Sequence, residues 1–422
     1  MEKKRVLMTI SSANDIHVIN KAHEMGYEMI IANSYKTESS QTKAAADEAY
    51  LIDASDTKAI CKLIEEKNID GVFVTASDAH LRFYCDICKE AGVYSYCTAE
   101  QVNIISDKIN FKKYCEKHGL NTIKEYSISE NDEVLDLDIK FPVMVKSPDN
   151  SGGSKGMTLV YKAEDLPAAI EHARNNSPTR SSIIEHYIDG DEFVINYMFV
   201  NGEPFVVYTK DYCKNIVDGM VMRDNAMISP SKYEHLFYEK ADKKLREMFA
   251  DIGMTNGIIF LQCFVENDEL YFFEGGCRAG GADEYFLWTD MYGVDFIKMM
   301  LNYAVEGNYG IPNLRNILAS TNQTNKYSVL NVLVGGGKIA EIKGLDKVNS
   351  MDGVLISTLL RHIGDEVAND STSGQIALRV MIKAENAADY LKKIDDIYNC
   401  ISFVSSEGKE MLIPHIDLSH WL

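Results

Sequence analysis

The chain has 422 residues, 46% hydrophobic and 25% charged, an ordinary balance for a globular protein too long for one core and divided into about three domains. Its 43 basic against 63 acidic side chains leave a formal charge of −20, which argues against nucleic acid or an anionic membrane as the main partner. The start "MEKKRVLMTI" has an apolar run far too short for a signal peptide, and no segment reaches the roughly 18 apolar residues of a membrane span, so the expectation is a cytoplasmic protein; nine scattered cysteines suit reduced thiols.

The first hundred residues alternate strand and helix patterns. Strands are predicted at 5–10, 27–32, 49–53 and 71–75, with helices over 15–25, 57–67 and 79–91. Such alternation predicts a parallel, doubly wound sheet. The first turn, "SSANDIH", lacks G-x-G-x-x-G, and Asn33 stands where a ribose-binding acid would be, so the strand ends face a small substrate rather than a dinucleotide. Cys85 and Cys88 have the spacing of a metal-ligand pair, but no second pair follows and both fall in a helical pattern, which argues against zinc.

A helix is predicted to begin at "SDKINFKKYCEKHGL", with Ser106 as its N-cap and Gly119 as its stop. Further helices are predicted over 163–174 and 241–252. In "SIIEHYIDGDEFVINYMFVNG" two strands flank a turn at Asp189 and Gly190, and "GIIFLQCFVENDELYFFEGG" reads as a hairpin turning at Asn267 and Asp268. From 327, "YSVLNVLVGGGKIAEIKG" reads as a second hairpin, followed by a helix over 385–397, together a small α+β module.

The stretch "FPVMVKSPDNSGGSKGMTLV", residues 141–160, holds two strands around a loop too polar and flexible to pack. Gly152, Gly153 and Gly156 let several backbone N–H groups point at one spot, with Ser151, Ser154 and Lys155 among them and Lys146 just before. That makes a concave site for an anion, or an exposed hairpin with a lysine at its rim. It does not match the G-x-x-x-x-G-K-[ST] phosphate loop.

Lys108, Lys146, this loop, "EHYIDGDE" from Glu185, and "EGGCR" from Glu274 fall in the order and spacing of an ATP-grasp ligase. Within that superfamily the sequence resembles carboxylate–amine ligases of the carbamoyl-phosphate-synthase-like and L-amino-acid-ligase-like kind. The resemblance covers nearly the whole chain. It implies a Rossmann-like domain over 1–105, an ATP-grasp domain over 106–322 with a lid at about 146–206, and a C-terminal α+β module over 323–422. It implies ATP with Mg2+, Mn2+ being an alternative, small carboxylate and amine substrates, and a homodimer.

Residue by residue, the resemblance gives Lys108 and Lys146 the ATP phosphates and makes Ser151–Gly156 the closing loop. Glu185, His186, Tyr187 and Ile188 would meet the adenine edge, and Glu192 the ribose hydroxyls. Glu274 and Gln262 would stand at the metal, and Arg278 at the acyl phosphate, where a planar fork outperforms an ammonium. Lys210 or Lys214 would make a third phosphate contact. Two positions depart from the family pattern: Gln262 replaces a glutamate twelve residues before Glu274, and Gly276 stands in the asparagine position of E-x-N-x-R. Both weaken the metal site. The implied function is an ATP-dependent ligase working through an acyl phosphate. Two alternatives are carboxylation or carbamoyl-type chemistry through carboxyphosphate, and a non-catalytic nucleotide-binding protein with a decayed metal site.

Overall fold

The computed structural model describes residues 3–9, 15–36, 40–74, 77–126, 139–147, 156–217, 220–321, 324–369 and 373–422. Strands β1 (Arg5–Met8), β2 (Glu28–Asn33), β3 (Glu48–Leu51) and β4 (Gly71–Phe73) form a parallel sheet in the order β3-β2-β1-β4. Helices α1 (Ile16–Glu24), α2 (Gln41–Ala45) and α3 (Thr57–Lys67) connect them, and α4 (Asp78–Ala91) follows β4. The central strands are apolar on both faces because both are covered. Val6, Met8, Met29 and Ile31 pack toward α1 and toward a later helix through Ile297 and Leu301; Leu7, Ile30 and Val72 pack with Ile60, Leu63 and Leu81. The chain runs outward from β1 to β3, then crosses back to lay β4 against the other side of β1. The crevice beyond the ends of β1 and β4 is therefore the switch point of the sheet, where open α/β folds hold ligands.

Helix α5 (Ala99–Ser106) begins with a capping box between Thr98 and Gln101, and α6 (Lys108–Lys117) follows at once. The expected cap at Ser106 is corrected to Asp107, whose carboxylate accepts the Asn110 amide proton at 3.0 Å. A charged acceptor there also meets the positive end of the helix. Ser106 closes α5 instead. The stop at Gly119 stands, with φ of 70°.

Next come β5 (Asn121–Thr122), β6 (Glu125–Tyr126), β7 (Val143–Lys146), β8 (Thr158–Val160), α7 (Leu166–Asn175) and β9 (Ile183–His186). A small antiparallel sheet, β6-β9-β7-β8, packs on α7 through Val143, Val145, Ile170 and Ile184. After it, β10 (Asp191–Val200), β11 (Glu203–Val217), β12 (Met220–Ser229), β13 (Gly257–Glu266) and β14 (Glu269–Gly276) enclose α8 (Glu234–Lys240) and α9 (Asp242–Ile252) in sequence. The β13–β14 turn is at Asn267 and Asp268, as expected, both with positive φ.

The chain ends with α10 (Tyr285–Tyr292), α11 (Phe296–Glu306), α12 (Leu314–Ser320), β15 (Lys326–Leu333), β16 (Gly337–Lys343), α13 (Leu345–Asn349), β17 (Val354–Leu359), β18 (Glu366–Val367), β19 (Ile376–Ala384), α14 (Ala387–Cys400) and β20 (Ser402–Ser405). Nine strands make one sheet, β17-β19-β15-β12-β11-β10-β13-β14-β5. The expected hairpin over 327–344 is corrected: β15 and β16 lie in different sheets. Buried on both faces, β15 is held between β12 and β19, while β16, with Ile339 buried and Lys338 and Ala340 exposed, joins β18 and β20. No helix among the described residues is long and apolar enough to cross a membrane.

Candidate active site

Three neighbouring strands of the large sheet carry acidic or amide side chains. Strand β10 is buried almost throughout, whereas the second half of β13 alternates, so Cys263 and Val265 enter the core and Gln262 and Phe264 take the more open face. Gln262 pairs directly with Glu274 on β14, and a bulge follows at once, since the next pair is Cys263 with Phe272. Bulges of this kind re-aim side chains beside functional sites. The Gln262 amide donates to a Glu192 oxygen at 2.7 Å, and Lys214 on β11 pairs with the other Glu192 oxygen. Glu274 lies 3.9 Å from Lys108 Nζ at the start of α6.

A second charged group sits on the small sheet. Glu185 on β9 is buried and receives ion pairs from both Lys146 on β7 and Lys112 on α6. Burial alone would push its carboxyl up; the two lysines overcome this and hold it below the usual carboxylate range. Burial likewise lowers the Lys146 ammonium, against the pull of Glu185, with like charge from Lys108 and Lys112 adding to the lowering. Lys108 thus stands within electrostatic reach of both groups. Beyond β9, the His186 amide donates to Lys124 and the Tyr187 amide to Pro142, while the Ile188 amide donates to no carbonyl among the described residues.

Arg278 follows β14. Its guanidinium lies 4.5 Å from the centre of the Phe260 ring and pairs with Asp78, the first residue of α4, at 2.5 Å. This contact explains Gly276. A Cβ there would come 2.9 Å from Asp78 Oδ1 and 2.9 Å from Phe260 Cζ, so the space an asparagine side chain needs is already filled. On its other side Arg278 borders a cavity of about 410 Å³. The wall includes Asp15, Phe73 and Val74 from the switch point of the parallel sheet, Gly280, Gly281 and Asp283 from the loop after Arg278, and Arg379 from β19.

The structure therefore brings Lys108, Lys146, Glu185, Glu192, Lys214, Gln262 and Glu274 into two charged groups linked through Lys108, while Arg278 stands with Asp78 at the cavity wall. Lys210 is fully buried in an ion pair with Glu284 and lies 4.9 Å from the centre of the Tyr212 ring, which Lys214 also approaches at 5.7 Å. Ser151, Gly152, Gly153, Ser154 and Lys155 lie outside the described residues, and Gly156 has φ of 74°. Sequence reasoning missed Lys112, Asp78, Asp283 and Arg379. Only Lys112 carried a signal, its i,i+4 spacing from Lys108 on one helical face.

For magnesium, Glu274 and Gln262 offer one carboxylate and one amide, hard oxygens on adjacent strands. Among the described residues no three His, Cys, Asp or Glu side chains cluster tightly enough to hold a metal alone. The donor set fits an ion that takes its remaining ligands from phosphate and water.

A family model for the ATP-grasp domain matches residues 139–283. The carbamoyl phosphate synthase large chain of Clostridium beijerinckii is 24% identical over 276 residues, covering 64% of this chain and 25% of that protein. The formate-dependent phosphoribosylglycinamide formyltransferase of Nitratiruptor sp. is 23% identical, covering 60% of this chain and 64% of that protein. The chain thus matches a quarter to a half of the length of the first synthase relatives. Among solved structures, the L-amino acid ligase of Bacillus licheniformis superposes with a TM-score of 0.78 at 15% identity, covering 96% of this chain and 100% of that one. The phosphoribosylglycinamide synthetase of Anaerococcus prevotii gives 0.75 at 18% identity, covering 96% and 100%. The chain shares the fold of these structures along nearly its whole length, and its central residues 139–283 match the model of the ATP-grasp domain.

Proposed function

We propose that the chain is an ATP-dependent ligase that joins a small carboxylate, an amino acid, to an amine through an acyl phosphate, with release of ADP and phosphate. The observation that carries this reading is the placement of Arg278, four residues after Glu274 in the chain, in the wall of the 410 Å³ cavity. A carboxylate held in that cavity against Arg278 faces the side where phosphates would lie. The domains 1–105, 106–322 and 323–422 serve as its working units, and nine free thiols support a cytoplasmic setting.

On this reading the Ile188 amide and its neighbours from Glu185 receive the adenine, Glu192 receives the ribose hydroxyls, and Lys146 and Lys108 gather the phosphates. Lys214, whose side chain is 35% exposed against 1% for Lys210, is better placed for a third phosphate contact. Magnesium, held by oxygens of Glu274 and Gln262, supplies neutralisation of phosphate charge when bound. A carboxylate oxygen attacks the γ-phosphorus and ADP departs. The amine nitrogen then attacks the acyl carbon, loses its proton, and expels phosphate. Arg278 holds developing negative charge in both steps with two parallel donors, an electrostatic rather than covalent role.

The weak metal set, Gln262 with Gly276, favours a second reading, a nucleotide-binding protein that no longer turns over. Incubation with ATP, magnesium and hydroxylamine across a panel of amino acids decides between them. Acid-dependent ADP release with trapped acyl hydroxamate supports the ligase. Tight ATP binding without turnover supports the second reading, and bicarbonate-dependent ADP release would transfer the chain to carboxyphosphate chemistry.

A further inference from the structure

The cavity beside Arg278 has the size of a small-molecule site and opens at the switch point of β1 and β4. Its charged side chains come from separate parts of the chain: Asp15 after β1, Arg278 and Asp283 after β14, and Arg379 on β19. Arg379 Nη1 is 3.8 Å from the Asp283 carboxylate, and its Nε donates to the Asn331 side chain at 3.2 Å. The Tyr285 hydroxyl donates to Asp283 at 3.3 Å and lies within electrostatic reach of Asp15 and Arg379. Asp283 has φ of 57°, in the left-handed region that aspartate adopts more readily than most residues. The rest of the wall is apolar, with Phe73, Val74, Trp288, Phe296, Ile297 and Met300.

Two carboxylates and two guanidiniums in one apolar chamber match a ligand that carries both charges close together. A dicarboxylate would meet like charge at Asp15 and Asp283. Bicarbonate would leave the apolar wall uncovered. We infer that the cavity binds a free α-amino acid with a large apolar side chain, branched or aromatic. Its carboxylate lies toward Arg278, its ammonium toward Asp15 and Asp283, and its side chain against Phe73, Trp288 and Met300. The chemical fate of that carboxylate rests on the ligase reading; the recognition does not.

Calorimetry on the full chain without ATP tests the recognition alone. L-Phenylalanine or L-leucine should bind about tenfold or more tighter than 3-phenylpropionate, L-phenylalaninamide, glycine or L-glutamate, since each lacks one charge or the apolar group or adds an unpaired carboxylate. Asp283→Asn should abolish the preference for phenylalanine over 3-phenylpropionate. Because Asp283 also pairs with Arg379, a second variant guards against misfolding: Met300→Trp should shift preference toward smaller amino acids. Equal affinity for 3-phenylpropionate, tightest binding of glutamate, or an unchanged preference in an Asp283→Asn protein that melts like the parent overturns the inference. The same ligands with ATP, magnesium and hydroxylamine report on ligation separately. Selective binding without ADP release upholds the inference and removes the ligase reading.

Discussion

Replacing Gly276 with asparagine recreates the E-x-N-x-R sequence pattern, and simple restoration of a metal ligand would improve the enzyme. The packing around this position gives the opposite expectation. A Cβ would stand 2.9 Å from Asp78 Oδ1 and from Phe260 Cζ, and closer still to Phe260 Cε1. The Phe260 ring is buried, so it cannot swing into solvent, and it carries the Arg278 guanidinium on its face. Relief must come from shifting the ring or separating Asp78 from Arg278. Overpacking of this kind costs about 1–3 kcal/mol of stability, and a displaced Arg278 should lose at least about tenfold in turnover, one such factor per 1.4 kcal/mol. Gly276→Ala introduces the same Cβ without the amide and should be nearly as damaging. Thermal melts and magnesium titrations of ADP formation on the parent and both variants make the comparison. An asparagine variant that is as stable as the parent and needs less magnesium, with alanine still impaired, would refute the packing account.

Lys146→Ala should weaken ATP binding by about 10- to 100-fold, the loss of one charge-assisted contact of about 1.5–3 kcal/mol, while the fold survives because Lys112 still neutralises Glu185; unchanged nucleotide affinity by calorimetry would exclude Lys146 from the site. Gln262→Glu sets a carboxylate against Glu192, whose oxygen the present amide holds at 2.7 Å. The variant should melt lower than the parent without magnesium and require less magnesium for half-maximal turnover, which paired melts and titrations check. Asp211 is buried, and burial raises its carboxyl to about 6 despite hydrogen bonds from Ser231 and the Lys232 amide. A carboxyl raised on folding lends stability at low pH that is lost as pH rises from its unfolded value, about 4, through about 6. Asp211→Asn should therefore flatten the parent's decline in melting temperature across that window, and an identical profile would contradict the assignment.

The parallel sheet was readable because strand and helix periods alternate cleanly and each apolar run has two covered faces to fill. Gln262 and Glu274 were placed together by the twelve-residue interval of the resembled family, but the bulge that sets them opposite each other has no local signature, since it arises where two strands fall out of step. The glycines at 335–337 gave a strong local turn signal, and tertiary pairing of β15 with β12 and β19 overrode it. Asp283 meets Arg379, and Asp78 meets Arg278, across distant segments of the chain. No window of sequence contains them, so nothing in local pattern distinguishes them from surface charges.

The nine-stranded sheet also sets an order on biosynthesis. Strand β12 leaves the ribosome paired on one side with β11, and its other edge waits for β15, which is preceded by a hairpin and five helices. Until then the nascent chain presents an unpaired edge rich in apolar residues, a template for pairing with neighbouring nascent chains on the same messenger. A stalled or truncated product ending before Lys326 should accordingly be a client for chaperones rather than a smaller working enzyme.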